Sequence, residues 1–173
     1  MSRPVRLVPL SPYDGKTGLL LPFVLERIRR MARERASELD PDTAVANIGG
    51  RVYGQDPSIA LLAFLNEKSE LVGHAVATIE TDGTNTWVFV SQVGMDPGDW
   101  GDAVVQAMEV ADDWARRYSE QILIPRGRKP VERMLMATHR DDKGWIKRYG
   151  FKNHRTIMVR DISTPATEGT EPE

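Results

Sequence analysis

The spacing of hydrophobic positions changes several times along the chain, and the helical stretches stand out first. In residues 18–39, apolar side chains recur every three or four positions, which predicts a long first helix (Leu20, Val24, Ile28, Met31). Asp42 is expected to cap a short second helix that runs to Ile48 and stops before Gly49. Helical spacing returns in residues 104–118 and predicts another long helix.

Elsewhere the hydrophobic residues form the short runs and alternations that are typical of strands. A short edge strand is predicted for residues 4–10. Three strands follow in the middle of the chain, and the short turn-forming segments between them predict antiparallel neighbours: residues 59–65, 71–79 and 87–95. After an expected loop at 120–130, the pattern predicts a strand, a short helix and a last strand: residues 133–138, 141–149 and 151–162.

The length of 173 residues suits one domain. We expect this domain to cover residues 1–162. Residues 163–173 contain Glu168, Glu171 and Glu173 but no lysine or arginine, which predicts an acidic, disordered C-terminal tail.

Composition narrows the classes of function. The 23 Lys and Arg residues against 25 Asp and Glu residues leave a net charge of -2, which gives no reason to expect a nucleic-acid binder or a membrane-surface protein. The chain has no cysteine, and its three histidines are isolated in sequence, so no metal site is expected (His74, His139, His154). No apolar run approaches the roughly 18 residues of a membrane span and no secretory leader is recognisable, which predicts a cytoplasmic protein.

Two stretches of the chain are rich in basic residues. One lies on the first helix and the other precedes the fifth strand: Arg27, Arg29, Arg30, Arg33 and Arg35, then Arg126, Arg128, Lys129 and Arg133. Glutamates interleave with the first stretch, and neither stretch contains aromatic residues that would stack on bases. We therefore expect a protein partner rather than nucleic acid, bound at one of these stretches or at the acidic tail, while the oligomeric state stays open.

Two local features accompany the predicted order of elements. The strand at 87–95 passes through a glycine-containing turn into a helix, and residues 145–151 read Trp-Ile-Lys-Arg-Tyr-Gly-Phe. In these features, and in the order β-α-α-β-β-β-α-β-α-β, the chain resembles a degenerate member of the GNAT (Gcn5-related N-acetyltransferase) superfamily. The resemblance implies a single α/β (α+β) domain. Its central, mixed and mainly antiparallel sheet would be flanked by helices on both faces and would splay near Met95.

The resemblance also implies a place for acyl-CoA. The family binds the pyrophosphate with a (Gln/Arg)-x-x-Gly-x-(Gly/Ala) turn, and an ungapped alignment from Val93 sets Gly98, Asp99, Trp100, Gly101, Asp102 and Ala103 on that motif. Gly101 and Ala103 match it, whereas Gly98 replaces the Gln or Arg. The backbone amides of Val93 and Met95 would then hold the pantetheine and the acyl carbonyl.

The two aspartates of this turn conflict with that role. At about 5 Å and an effective dielectric constant near 20, each carboxylate would repel a phosphate charge by roughly 3 kcal/mol before salt screening. Asp99 and Asp102 have an alternative interpretation as caps of the following helix, where a carboxylate accepts hydrogen bonds from open amides.

Candidate catalytic groups are few. The family usually places a tyrosine, which returns a proton to the CoA thiolate, at the position that Ile146 occupies here. Tyr149 and His139 remain as candidates, each with a structural alternative: Tyr149 as a packing residue, and His139 as a solvated residue at a strand end. His74 is expected to be a sheet residue rather than a ligand.

Two functional classes remain open. The chain is either a binding or structural protein that kept the scaffold and needs no cofactor, or an acetyl-CoA-dependent N-acetyltransferase that transfers acetyl directly to an amine in a ternary complex. The departures at Gly98, Asp99, Asp102 and Ile146 favour the first class. In overall style the chain resembles small GNAT-like proteins of tailed-phage genomes, which would place it in the host cytoplasm or the virion as a structural or host-interaction component.

Overall fold

The strands and helices form a five-stranded sheet with helices on both faces. The structure is a computed structural model that describes residues 4–34, 40–98 and 103–136. The strands are β1 (Arg6–Pro9), β2 (Ile59–Leu65), β3 (Leu71–Thr81), β4 (Thr86–Met95) and β5 (Arg133–Met136). The helices are α1 (Leu21–Glu34), α2 (Pro41–Tyr53) and α3 (Ala103–Tyr118), with a 3-10 turn at Gly18–Leu20 leading into α1. The helix predicted at 141–149, the strand predicted at 151–162 and the acidic tail lie outside the described residues.

The strands lie in the sheet in their chain order, β1-β2-β3-β4-β5. The first four pair antiparallel, which confirms the predicted meander and the edge position of β1. Strand β5 pairs with β4 in the parallel direction, in a register that sets Trp87 opposite Arg133 and Val90 opposite Met136. The predicted α/β fold class, a mainly antiparallel mixed sheet flanked by helices, is therefore confirmed.

Helices α1 and α2 cover one face of the sheet. The buried residues of α1 recur at helical spacing, as the pattern predicted: Leu21, Val24, Ile28 and Ala32. They pack with α2 against alternate residues of β2 and against Val76 of β3. Burial of each large aliphatic side chain contributes roughly 1.5–3 kcal/mol, so this layer fixes α1 to the sheet.

The predicted limits of α2 are wrong at both ends. Asp40, rather than Asp42, caps the helix, since its carboxylate accepts a hydrogen bond of 2.8 Å from the Thr43 amide. The helix also continues through Gly49 to Tyr53. Gly49 is buried, and a Cβ atom there would lie 3.4 Å from a methyl group of Leu25 on α1. Gly49 is thus an interior residue of α2, packed beside α1, and does not end the helix.

Helix α3 covers the opposite face. Its buried residues are alanines four positions apart, which let the helix approach the sheet closely: Ala103, Ala107, Ala111 and Ala115. Two clusters lie beneath it, one around Leu62 and Phe64 and the other around Val88 and Val90.

The loop predicted at 120–130 is wrong over its first half. A π-helical turn at Ser119–Leu123 and a 3-10 turn at Ile124–Arg126 extend α3. The buried Ser119 hydroxyl donates to the Ala115 carbonyl at 2.7 Å and accepts from the Val131 amide at 2.9 Å. The turns end at Gly127, whose φ of 69° favours glycine. Tertiary hydrogen bonds thus order a segment whose Pro and Gly content predicted a loop.

No helix within the three described ranges combines the length and apolar character that a membrane crossing requires.

Candidate cofactor-binding site

The candidate site lies where β4 ends and the chain passes towards α3. The last residues of β4 pair with β3, with Ala75 opposite Val93, His74 opposite Gly94 and Gly73 opposite Met95. On the other side of β4, the described part of β5 reaches only as far as Val90. Within the described residues, the outer edge of β4 from Val93 to Met95 therefore pairs with no strand. The prediction that the sheet splays near Met95 concerns the separation of β4 from the strand beside it. The residues that would lie beside Met95 follow Met136 and are outside the described ranges.

A β-bulge in β4 decides which side chains face each layer at this end. Ala77 lies opposite Val90 and Val76 lies opposite Gln92, so Ser91 is the extra residue. The Ser91 hydroxyl donates to the Val76 carbonyl at 3.4 Å. Because the bulge adds one residue, the side chains of Val93 and Met95 pack with the α3 layer. Gln92 and Gly94 consequently share the α1 face of the sheet.

Glycine permits close packing across β3 and β4 at the site. A Cβ atom on Gly94 would lie 2.7 Å from Cε1 of His74 and 3.0 Å from Sδ of Met31. His74 is itself buried between the sheet and α1. This position agrees with the interpretation of His74 as a sheet residue. The α1 side of the β4 end is thus filled by His74 and Met31.

An ion pair fixes the first residue after β4. The Arg27 guanidinium donates a 2.7 Å hydrogen bond to Oδ1 of Asp96 and a 3.4 Å bond to the Val72 carbonyl. The Asp96 amide donates to the same carbonyl at 2.8 Å. The Arg27 side chain is only 16% exposed. The sequence pattern missed this pair, although an arginine between Val24, Ile28 and Met31 on an apolar helix face was a signal for a buried partner.

The predicted cofactor residues are only partly covered by the described ranges. Val93 and Met95 end β4, and Ala103 begins α3 as a residue that is 2% exposed. Gly98 has a φ of 152°, a value that residues with side chains rarely adopt. This backbone conformation gives a physical reason for glycine at the position where the motif has Gln or Arg. Asp99, Trp100, Gly101 and Asp102 lie outside the described residues, as do the catalytic candidates His139 and Tyr149.

Two other carboxylates of the sheet are far from this end. Glu80 lies opposite Trp87, about seven residues or roughly 23 Å along β4 from Gly94, and it accepts a hydrogen bond from Thr78. Asp82 belongs to the following turn, where the backbone amides of Asn85 and Thr84 lower the pKa of its carboxyl group. Neither carboxylate can act as a base at the end of β4.

The described residues contain no cluster of three or more His, Asp or Glu side chains arranged to hold a metal ion.

Comparisons with known proteins find similarity in three-dimensional structure. No protein-family model matches the sequence, and no curated protein matches it. A GCN5-related N-acetyltransferase from Ralstonia eutropha JMP134 aligns with a TM-score of 0.62 and 16% identity, covering 92% of this chain and 99% of that one. A structure from Clostridium acetobutylicum, described as a predicted acetyltransferase with acetyl-CoA, aligns with a TM-score of 0.62 and 8% identity, covering 92% and 97%. Glucosamine-6-phosphate N-acetyltransferase from Arabidopsis thaliana aligns with a TM-score of 0.56 and 11% identity, covering 91% and 98%. At these identities the similarity concerns the fold.

Proposed function

Because the chain has the GNAT fold but carries two aspartates on the turn where that fold would receive the cofactor phosphates, we propose that it is a non-catalytic binding or structural protein. In this proposal the chain keeps the fold but does not bind acyl-CoA. The partner is a protein.

The charge of the turn carries the proposal. Each contact between a carboxylate and a phosphate would cost roughly 3 kcal/mol before screening, which corresponds to a loss of affinity of about 100-fold. Asp99 and Asp102 together thus outweigh the attraction that open amides at the start of α3 would supply. The alignment also gives Gly98, which has no side chain, at the position of the motif's Gln or Arg.

The described residues near the turn offer little positive charge that could offset the two aspartates. Arg27 lies at this end of β4, and its guanidinium is hydrogen-bonded to Asp96. A phosphate would have to compete with that carboxylate for the same donors.

The test is a calorimetric titration of the full chain with acetyl-CoA at low salt. We expect no heat of binding at millimolar acetyl-CoA for the natural sequence. The double variant Asp99→Asn, Asp102→Asn is expected to gain measurable affinity that weakens as salt is added. The matched control is Glu109→Gln, Glu120→Gln, which removes the same charge from exposed positions and should gain nothing. A micromolar dissociation constant for the unmodified chain would overturn the proposal.

A second candidate function is N-acetyl transfer from acetyl-CoA to an amine. It is favoured by the similarity to a structure that contains acetyl-CoA and by the outer edge of β4 at Val93 and Met95. The amides of those residues would hold the pantetheine and the acyl carbonyl, and the turn from Gly98 to Ala103 would hold the pyrophosphate. On this hypothesis Gly101→Glu abolishes turnover, whereas His139→Ala and Tyr149→Phe test the two candidates for proton transfer. Unchanged turnover in Gly101→Glu would remove this role of the turn.

A component of a tailed-phage virion is one form of the binding-protein proposal. A gene position among portal, terminase or tail genes would favour it. A position beside modification or resistance genes would favour catalysis instead.

A further inference from the structure

A groove of about 370 Å³ lies between the end of α3, the turns that follow it and the start of β5. The apolar part of its lining includes Val131 and Met134, and Ile124 lines it with 53% of its own surface exposed. Val88 on β4 also lines the groove and precedes Met95 by seven residues, or roughly 23 Å along the strand. The groove is therefore separate from the candidate cofactor site.

The charged residues of the groove leave it negative. Three carboxylates line it without an ion pair to any other described residue: Asp112, Glu120 and Glu132. Of the two lining arginines, Arg116 is paired with Asp113 at 2.7 Å, which leaves only Arg133 unpaired among the lining residues. Three carboxylates thus stand against one unpaired guanidinium.

Three exposed cations border the groove: Arg126, Arg128 and Lys129. We call them the basic ridge. In the chain they lie between two residues that line the groove, Ile124 and Pro130. None of the three forms an ion pair with a residue inside the described ranges. A positive strip therefore lies directly beside a negative groove.

The backbone of the ridge is held in place by the fold. The Arg128 amide donates to the Leu123 carbonyl at 3.0 Å, and the Gly127 amide donates to the Ile124 carbonyl at 2.9 Å. Leu123 is itself buried. Because this backbone is ordered before any partner arrives, binding there costs less conformational entropy than binding to a free loop.

We propose that a second copy of the chain binds this surface, with the basic ridge of each copy against the groove of the other. A surface with a positive and a negative patch side by side is complementary to itself. A two-fold rotation about an axis between the patches sets each patch against the opposite charge on the second copy. Ile124 of each copy then packs against the apolar lining of the other groove, at the centre of the interface.

Partners of a single charge fit this surface less well. An acidic peptide or a nucleic acid would bind the ridge but would be repelled by the carboxylates of the groove. A basic peptide would bind those carboxylates but would be repelled by the ridge. A second copy supplies both charges in the required arrangement, and it makes the contact twice.

The interface goes beyond the proposed function, because it is built from residues outside the cofactor turn. The variant Asp99→Asn, Asp102→Asn should therefore dimerise like the natural chain, whatever its affinity for acetyl-CoA. The two proposals thus fail or succeed separately.

The first measurement is sedimentation equilibrium of the full chain. At about 0.1 M salt we expect a dimer, whose dissociation constant should rise by about fivefold or more in about 1 M salt, where the Debye length falls from about 10 Å to about 3 Å. A chain that stays monomeric at a concentration of about 0.5 mM in the lower salt would overturn the proposal.

Charge reversal then tests which surfaces meet. The ridge variant is Arg126→Glu, Arg128→Glu, and the groove variant is Glu120→Lys, Glu132→Lys. Each variant alone sets like charges against each other, so its dissociation constant should rise by about tenfold or more. An equimolar mixture of the two should recover the dimer, because the reversed ridge of one copy then meets the reversed groove of the other.

Matched controls make the same charge changes at exposed positions elsewhere. Lys16→Glu, Lys68→Glu matches the ridge variant, and Glu67→Lys, Glu109→Lys matches the groove variant; both should dimerise like the natural chain. A ridge variant that fails to fold by circular dichroism is replaced by Arg126→Gln, Arg128→Gln, which should weaken the dimer several-fold. A dimer that both reversals leave unchanged, or folded variants whose mixture stays monomeric, would overturn the proposal.

Discussion

At the level of single residues, Gly94 in β4 and Gly50 in α2 differ in how closely other atoms surround them. Gly94 lies against the ring of His74 and the sulfur of Met31, while Gly50 on α2 has no atom within 4 Å of the place where a Cβ would stand. Both look like flexible positions in the sequence. Only Gly94 is required by close packing.

Alanine substitution at the two glycines should therefore have opposite effects. Gly94→Ala forces Cβ to within 2.7 Å of His74 and is expected to lower the free energy of unfolding by about 1–3 kcal/mol. Gly50→Ala lies inside an exposed part of α2 and should raise it by about 0.5–1 kcal/mol. Urea unfolding measures both. Equal effects of the two changes would show that the packing at Gly94 is looser than these distances imply.

At the scale of elements, the start of α2 depends on the choice between two nearby aspartates. Asp40 accepts a hydrogen bond from the Thr43 amide, which lowers the pKa of the Asp40 carboxyl group. Asp42 lies in the first turn and pairs with Arg29 on the surface. Both residues suit a cap by type, and only the backbone geometry distinguishes them.

The cap assignment predicts a pH-dependent difference between two variants. At pH 7, Asp40→Ala should lower the melting temperature more than Asp42→Ala does. Since the pKa of Asp40 is lower in the folded than in the unfolded chain, its ionised cap stabilises fully above the ordinary value of 3.8 and loses this effect as the pH falls through the folded value. The deficit of Asp40→Ala should therefore shrink towards pH 2. A deficit that is the same at both pH values would mean that the charge of Asp40 contributes nothing to the cap.

At the scale of the whole molecule, the Arg27–Asp96 pair joins α1 to the exit of β4 across 69 positions of sequence. Arg27 also reaches the Val72 carbonyl on β3, so one guanidinium connects a helix, a strand and the turn that leads to α3. The pair thereby fixes Asp96, the first residue after β4, to the layer of α1.

A double-mutant cycle measures this connection. Arg27→Met and Asp96→Asn should couple by about 1–2 kcal/mol in the free energy of unfolding, because the guanidinium is largely removed from water. The control cycle at Arg30 and Glu34, an exposed pair at 3.8 Å, should give about 0.3–0.5 kcal/mol. Additive effects at Arg27 and Asp96 would contradict a direct role of the pair.

The hydrophobic pattern predicted most of the elements because burial on one face leaves a periodic trace in the sequence. The spacing of Val24 and Ile28 marked α1, and the apolar runs marked β2 to β4 with errors of only a few residues at their ends. The helix limits at Asp40 and Gly49 and the turns after Ser119 were missed. In each case the decisive contact comes from an atom on another element or from backbone geometry that residue type does not specify.

For the candidate site, the residue types could be read from the sequence: two aspartates and a glycine at the motif positions, and an acidic segment without lysine or arginine at 163–173. Local composition is sufficient for that. The bulge at Ser91, which directs Val93 and Met95 towards α3, could be seen only in the folded chain. The structure likewise shows that the Arg27 guanidinium is bound to Asp96. Register and ion pairing join positions far apart in the chain, so they depend on the three-dimensional distances that folding creates.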